Sequence, residues 1–243
     1  MINKRHITAF VFARGGSKQI PKKNLVELNG KPLLRHSIDL ARALDGVSDV
    51  VVSTDCEEIA TYARKIGASV PFRRPAELAG DKSSEFEAWK HAVSYCQRRG
   101  PPLDVFLSLP TTSPLRSLED VEFCIEMFHC FRPDVLVTVT KSARNPAFNI
   151  VKKNKAGFME LTISGDHKTR QLAPDCFDLT TVAYLSSPKF ILENNKIFDG
   201  NVIAVEIPPP RGIDIDTTLD LEFARFLINN PNFLEQGKAT LVL

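Results

Sequence analysis

The sequence predicts an α/β fold: a doubly wound, mostly parallel sheet with helices on both faces and a small flap. Two observations predict it. Short runs of Val, Ile, Leu and Phe, too continuous for strands with one wet face, alternate with helical periodicity through the first two-thirds of the chain. That pattern belongs to strands covered on both sides. The chain is also long enough, at 243 residues and 43% hydrophobic, for one large domain with a full core.

The elements follow in order. Residues 7–12 read as the first strand, followed by a Gly- and Lys-rich loop and a helix over about 33–44. Residues 49–53 are a second buried strand, and a helix begins near Cys56. Residues 69–72 are short and extended. A helix over 84–99 precedes a strand at 104–109. Residues 117–131 are helical, with Ser117 as N-cap and Asp120 three positions on. Residues 134–140 form another strand. From 141 to 178 the pattern breaks into a hairpin with polar loops, turning at 154–157. This is either an excursion that packs on a partner subunit or a surface flap. The α/β pattern resumes at 179–185, with a short helix from Pro188, a strand at 201–207 and a final helix over 217–228. No repeat or linker interrupts it, so residues 1–243 read as one domain, with 141–178 as a dimerisation or acceptor-site excursion inside it.

Charge and cysteine usage exclude several classes. With 31 Lys+Arg against 29 Asp+Glu, the net charge is +2, so neither a strongly basic nucleic-acid binder nor a polyacidic tail is present. Any anion site must be local. The five cysteines (Cys56, Cys96, Cys124, Cys130, Cys176) lack CxxC spacing, which argues against a zinc site or a disulfide framework and for a reducing compartment. The apolar run near the N-terminus ends at Arg14 and reads as a strand rather than a signal peptide. No apolar stretch approaches the ~20 residues of a membrane span. The expectation is a cytoplasmic protein without membrane or nucleic-acid partners.

Two segments carry chemistry. After the first strand comes ARGGSKQIPKKN (13–24). It brings together Gly15 and Gly16, which permit close backbone approach, the Ser17 hydroxyl, and the cations Arg14, Lys18, Lys22 and Lys23. In a doubly wound sheet such a loop lies at the carboxyl end of a strand, where ligands bind. Backbone N–H groups with converging cations suit a triphosphate. The spacing is neither GxGxxG nor GxxxxGK[ST], which disfavours a dinucleotide site and a Walker A loop. The bland alternative is a solvated basic loop. The second segment is GIDIDT (212–217). Asp214 and Asp216 are two apart, so on an extended strand both point to one face. Carboxylates that close repel unless a cation sits between them, and Mg²⁺ shared with substrate phosphates meets that need. The alternative is that one of them caps the following helix together with Thr217.

The motif ARGGSKxIPxKN resembles the signature of the acylneuraminate cytidylyltransferases, the CMP-sialic acid synthetase family. The resemblance continues through NGKPL (29–33), VVSTD (51–55), RPAEL (74–78) with Asp81 and Ser83–Ser84, TSPLR (112–116) and IDIDT (213–217), in family order over nearly the whole chain. It implies a Rossmann-like nucleotidyltransferase fold and an enzyme that uses CTP and Mg²⁺. The homodimer is expected from the excursion itself, whose apolar Phe148, Ile150, Phe158, Met159 and Leu161 would pack against a second copy. By similarity Arg14, Ser17, Lys18 and Lys23 contact the phosphates, while Asn24 and the backbone at Ala13 meet the nucleotide. Lys23, with Arg14 and Lys18, stabilises charge on the reacting phosphate. Arg74, Ser83 and Ser84 lie around the base, and Asp214 and Asp216 hold the metal. The flap residues Arg170 and Gln171 match a family Arg-Gln pair whose arginine can reach a neighbouring subunit; a flap salt bridge is the other reading.

The acceptor half departs from the pattern. The family glutamine of LLQPTSPLR falls on Pro110, and its Arg-Pro-Asn-Gly falls on Asp178, Leu179, Thr180 and Thr181. Thr180 and Thr181 are therefore the acceptor candidates beside Arg170 and Gln171, and N-acetylneuraminic acid is expected to be a poor acceptor. Three functions compete. The first is CMP transfer from CTP to a nonulosonic, sialic-like acid. The second is the same transfer to a different acid, such as an octulosonic acid or a phosphonate. The third is a catalytically silent nucleotide-binding protein.

Overall fold

Side chains alternate along β1 (Ile7–Phe12): Ala9 and Val11 join one apolar cluster, Phe10 and Phe12 the other, so the strand is covered on both faces. The computed structural model describes residues 6–99, 103–165, 167 and 169–242. The short strands β2 (Glu27–Leu28) and β3 (Lys31–Pro32) pair across Asn29 and Gly30, both at positive φ, as an Asn-Gly hairpin requires. They lead into α1 (Leu33–Ala43). Next come β4 (Val47–Ser53), α2 (Glu57–Lys65), α3 (Glu85–Arg99), β5 (Val105–Ser108), α4 (Leu118–Phe131) and β6 (Val135–Lys141). The excursion holds the hairpin β7 (Val151–Lys153) and β8 (Met159–Leu161), turning through Asn154 and Gly157 as the sequence predicts. After it come β9 (Phe177–Ser186), α5 (Pro188–Glu193), β10 (Val202–Glu206), α6 (Thr218–Asn229) and β11 (Thr240–Val242). Residues 69–72 make only an isolated bridge from Ser69 to Val51.

The sheet is doubly wound. Helices α1, α2 and α4 bury Ile38, Ile59 and Phe128 on one face; α3 and α5 bury Trp89 and Ile191 on the other. Its order is β11-β10-β6-β9-β5-β1-β4. Strands β4, β1, β5, β6 and β10 run in one direction, while β9 and β11 run against them. The sequence predicts a strand at 179–185 without its direction, and β9 runs antiparallel to both of its neighbours. A parallel neighbour needs a crossover, usually an α-helix, and among the described residues between β6 and β9 the only helical element is a 3-10 turn at Arg170–Leu172. The excursion simply turns the chain back, and β9 returns beside β6 as the second arm of a long hairpin, Lys141 opposite Phe177. The short strand β11 carries no pattern that predicts it.

Two local devices position residues at the carboxyl edge of the sheet. The pairing of β6 with β9 slips between Val137, opposite Tyr184, and Thr138, opposite Thr180, so Thr181–Ala183 bulge from the ladder. The buried Thr138 hydroxyl fills the gap, accepting from Ala183 N–H at 3.2 Å and from the Thr180 hydroxyl at 2.8 Å. At α4, Ser117 and Asp120 form the predicted capping box. Asp120 also receives the buried Arg211 guanidinium in a bidentate pair, at 2.7 and 2.9 Å, which ties residues 211–217 to the helix start. No helix among the described residues is long and apolar enough to cross a membrane.

Candidate active site

The loop after β1 is an extension of the sheet before it is a loop. Ala13 N–H donates to Ser53 O at 3.0 Å, carrying the β1–β4 ladder one residue further. Gly15 N–H then donates to Asp55 Oδ1 at 2.8 Å, and any Cβ at Gly15 would lie 2.8 Å from Cys56 Cβ. That approach requires glycine. Gly16 is different: no protein atom lies within 4 Å of a Cβ built there, so its freedom faces open space. Asn24 closes the loop. It is buried, its Nδ2 donates to Arg14 O at 2.8 Å, and its Oδ1 accepts from Thr111 Oγ1 at 2.5 Å.

This closure frames a cleft of about 290 Å³ at the carboxyl ends of β1, β4 and β5. Arg14, Lys23 and Asn24 line it from the loop, and Arg74, Ser83, Ser84 and Glu85 from the segment entering α3. Pro110, Thr111, Thr112 and Thr181 line it from β5 and the β9 bulge. Most of the residues assigned to the nucleotide therefore meet in one place. Ser17 is half-buried in the loop outside the cleft lining, and Ala13 is buried, offering backbone only.

The cations are balanced by named carboxylates. Asp81 receives Arg14 at 2.9 Å and Lys18 at 2.6 Å, and these neighbours hold its carboxyl below the usual range, Lys18 most strongly. The pairs are exposed and contribute little stability, so a phosphate can displace Asp81 readily. Lys22 points elsewhere, to Glu58 at 2.7 Å. Lys23 is held more firmly: its Nζ donates to Ile215 O and to Asp216 Oδ1, both at 2.9 Å, with only 15% of the side chain exposed.

The segment bearing the two aspartates is extended but lies outside the sheet. Ile215 N–H donates to Thr112 O at 2.8 Å, and the Ile215 side chain is fully buried, which leaves the flanking Asp214 and Asp216 together on the open side. Crowding by the surrounding protein pushes the Asp214 carboxyl up, and the Asp216 charge adds to it. The Thr112 and Thr181 hydroxyls and Lys23 oppose the shift. Neither aspartate caps α6; Thr217 and Asp220 do that. Two hard carboxylates with partly unbalanced charge beside a cation-lined cleft fit a divalent ion shared with phosphate oxygens.

Arg74 is mostly a structural clamp. It donates to Ser53 Oγ and Ser53 O at 3.1 and 2.6 Å and lies 5.5 Å from the Phe12 ring centroid; burial lowers its pKa to about 10. Arg116 of the TSPLR loop is also buried, its Nε donating to Ser113 O at 2.7 Å and its Nη2 to Pro110 O, and burial lowers it to about 9.

The acceptor assignments fare unevenly. Thr181 lies in the cleft, its hydroxyl 2.7 Å from Ser113 Oγ and 3.0 Å from Thr112 Oγ1, because the bulge turns it there. Thr180 is corrected: it is buried, with its hydroxyl spent on Thr138. Asp178 is exposed and outside the cleft lining, so of the departures from the family pattern only Pro110 and Thr181 line it. Arg170 and Gln171 are not brought to the cleft within this chain; Arg170 donates to Ser142 O at 2.9 Å beside Lys141 and Arg144, and Gln171 is exposed. Sequence reasoning missed Asp81 as counter-ion and Glu85 as a lining residue. Glu85 looked only like the acidic first turn of a helix.

Comparison with known proteins fits this geometry. A family model described as Cytidylyltransferase matches residues 8–129. The chain is 32% identical to the post-translational flagellin modification protein B of Campylobacter coli and 31% identical to a CMP-N,N'-diacetyllegionaminic acid synthase of Campylobacter jejuni. Each alignment covers 93% of this chain and 96% of the relative. Among solved structures, a CMP:2-keto-3-deoxy-manno-octonic acid synthetase complexed with CTP shares the fold. Its TM-score is 0.69 at 17% identity, covering 93% of this chain and 99% of that one.

Proposed function

The chain belongs to the cytidylyltransferase family, and from that premise we propose that it transfers CMP from CTP to a nonulosonic, sialic-like acid, releasing pyrophosphate. The observation that carries this reading is the meeting of Arg14 and Lys23 in one cleft at the sheet's carboxyl edge, with Asp216 bonded to Lys23 and Asp214 held by the cleft threonines Thr112 and Thr181.

The chemistry divides among these groups. The acceptor's anomeric oxygen forms a bond to the α-phosphorus as the bond to the β-phosphate oxygen breaks. Arg14 and Lys18, released from Asp81, take the charged phosphate oxygens, and Lys23 stands where charge grows at the reacting centre. Fixed cations of that kind are commonly the largest contribution to such a transfer. Asp214 and Asp216 would hold Mg²⁺, which when bound neutralises phosphate charge. Thr112 and Thr181 present hydroxyls to the acceptor side. Pro110 stands where the family reads sugar through glutamine, which supports an acceptor other than N-acetylneuraminic acid. The experiment is CTP-dependent pyrophosphate release in the presence of a nonulosonic acid.

The same reading makes the protein a homodimer. The excursion leaves Phe158, Met159, Ile163 and Leu172 exposed at 72%, 68%, 55% and 66%. Such apolar surface on one hairpin and its neighbouring loop is typical of an interface. Packing against a second copy would cover it and can carry Arg170 toward the neighbour's cleft. Light scattering at micromolar concentration is expected to give twice the 27.1 kDa chain mass. A monomer there would confine Arg170 to its own chain.

A further inference from the structure

The carboxylates at the cleft have separate engagements, with one exception. Asp81 is taken by Arg14 and Lys18, Asp216 by Lys23, and Asp214 by the hydroxyls of Thr112 and Thr181. Glu85 lines the same cleft at the start of α3, its carboxyl partly enclosed against Trp89. Its Oε1 accepts the indole N–H of Trp89 at 3.3 Å, a long bond that leaves most of the accepting capacity of the carboxylate unused. It follows Ser83 and Ser84 directly, and the charges of Arg74 and Asp214 both reach it.

The cleft therefore offers a nucleobase two unlike groups, a guanidinium and a carboxylate, with Arg74 itself lying over the Phe12 ring of the lining. Cytosine and uracil share the O2 acceptor and differ at position 4, where one carries an amine that donates and the other a carbonyl that accepts. An ionised carboxylate only accepts. It pairs with the amine and repels the carbonyl.

We propose that Glu85 is the side chain that selects cytosine over uracil, accepting a hydrogen bond from the exocyclic amine while Arg74 faces the acceptor side of the base. The inference rests on the proposed use of CTP. Crowding already pushes the Glu85 carboxyl up, against the Trp89 bond and the Arg74 charge, so the ionised group gains from a donor delivered by the ligand. A role limited to favouring the N-terminus of α3 would be blind to the identity of the base.

The test is calorimetric binding of CTP and UTP, each with Mg²⁺, to the wild type, Glu85→Gln and Glu85→Ala, with thermal melts of all three. Glu85→Ala should lose about 10- to 100-fold in CTP affinity, the worth of one charge-assisted hydrogen bond, with UTP little changed. Glu85→Gln can turn its amide to serve either base, so UTP affinity should rise about tenfold while the melting temperature holds. Trp89 is the chain's only tryptophan, and its emission should respond to CTP in the wild type and not in Glu85→Ala. A preference for CTP unchanged in both variants overturns the assignment of Glu85 alone. A wild type that binds neither nucleotide overturns the reading of the cleft as a CTP site.

Discussion

Replacing Asp214 or Asp216 with alanine is expected to lower turnover by about 10³-fold, the scale of losing a metal ion that neutralises charge in the transition state. The two substitutions should differ in their side effects. Asp216 is bonded to Lys23, so Asp216→Ala also frees that lysine. Asp214 is crowded by protein and repelled by Asp216, a cost to the folded state, so Asp214→Ala should melt no lower than the wild type. Turnover and thermal melts on the same preparations separate lost chemistry from lost fold. Near-normal turnover in either variant at saturating Mg²⁺ would remove that carboxylate from the metal site.

Lys23→Ala is expected to cut the catalytic rate by about 10²-fold or more, with a smaller change in the Michaelis constant for CTP. The reason is positional. Lys23 is nearly buried and anchored at once to Ile215 O and Asp216, so it is held in place before substrate arrives, unlike the exposed Lys18. Because the lysine and Asp216 touch, the double variant should lose less than the product of the single losses. Steady-state kinetics on the three variants decide this. A change confined to the Michaelis constant would make Lys23 a clamp on bound CTP and nothing more.

Much of the fold and site was legible in the chain itself, for physical reasons that also mark where legibility ended. Buried strands such as Ile7–Phe12 announce themselves by continuous apolar sequence, and Ser117 with Asp120 marks a helix start because only a few side chains can satisfy its free N–H groups. Strand direction leaves no such trace: a doubly covered strand has the same composition either way, so the reversal of β9 was hidden. The bulge was hidden with it. Thr180 and Thr181 are neighbours in sequence, yet Thr138 holds the one inside the sheet while the bulge delivers the other to the cleft. The loop cations and the aspartate pair were legible as a group, whereas Asp81 and Glu85 acquire their roles only through segments distant in sequence. Arg170 marks another limit, since its proposed reach across a subunit boundary cannot be read from one chain.

The central claim is that this cleft joins the CMP portion of CTP to a nonulosonic acid. Its most direct test is to incubate the protein with CTP, Mg²⁺ and a panel of keto-sugar acids, including N-acetylneuraminic acid and an octulosonic acid, and to identify the products by phosphorus NMR and mass spectrometry. The predicted result is equimolar pyrophosphate and a CMP-sugar with a nonulosonic acid, N-acetylneuraminic acid reacting poorly, and neither product when CTP is replaced by UTP. Cleavage of CTP to CDP and phosphate, or no CMP-sugar with any acid in the panel, would contradict it.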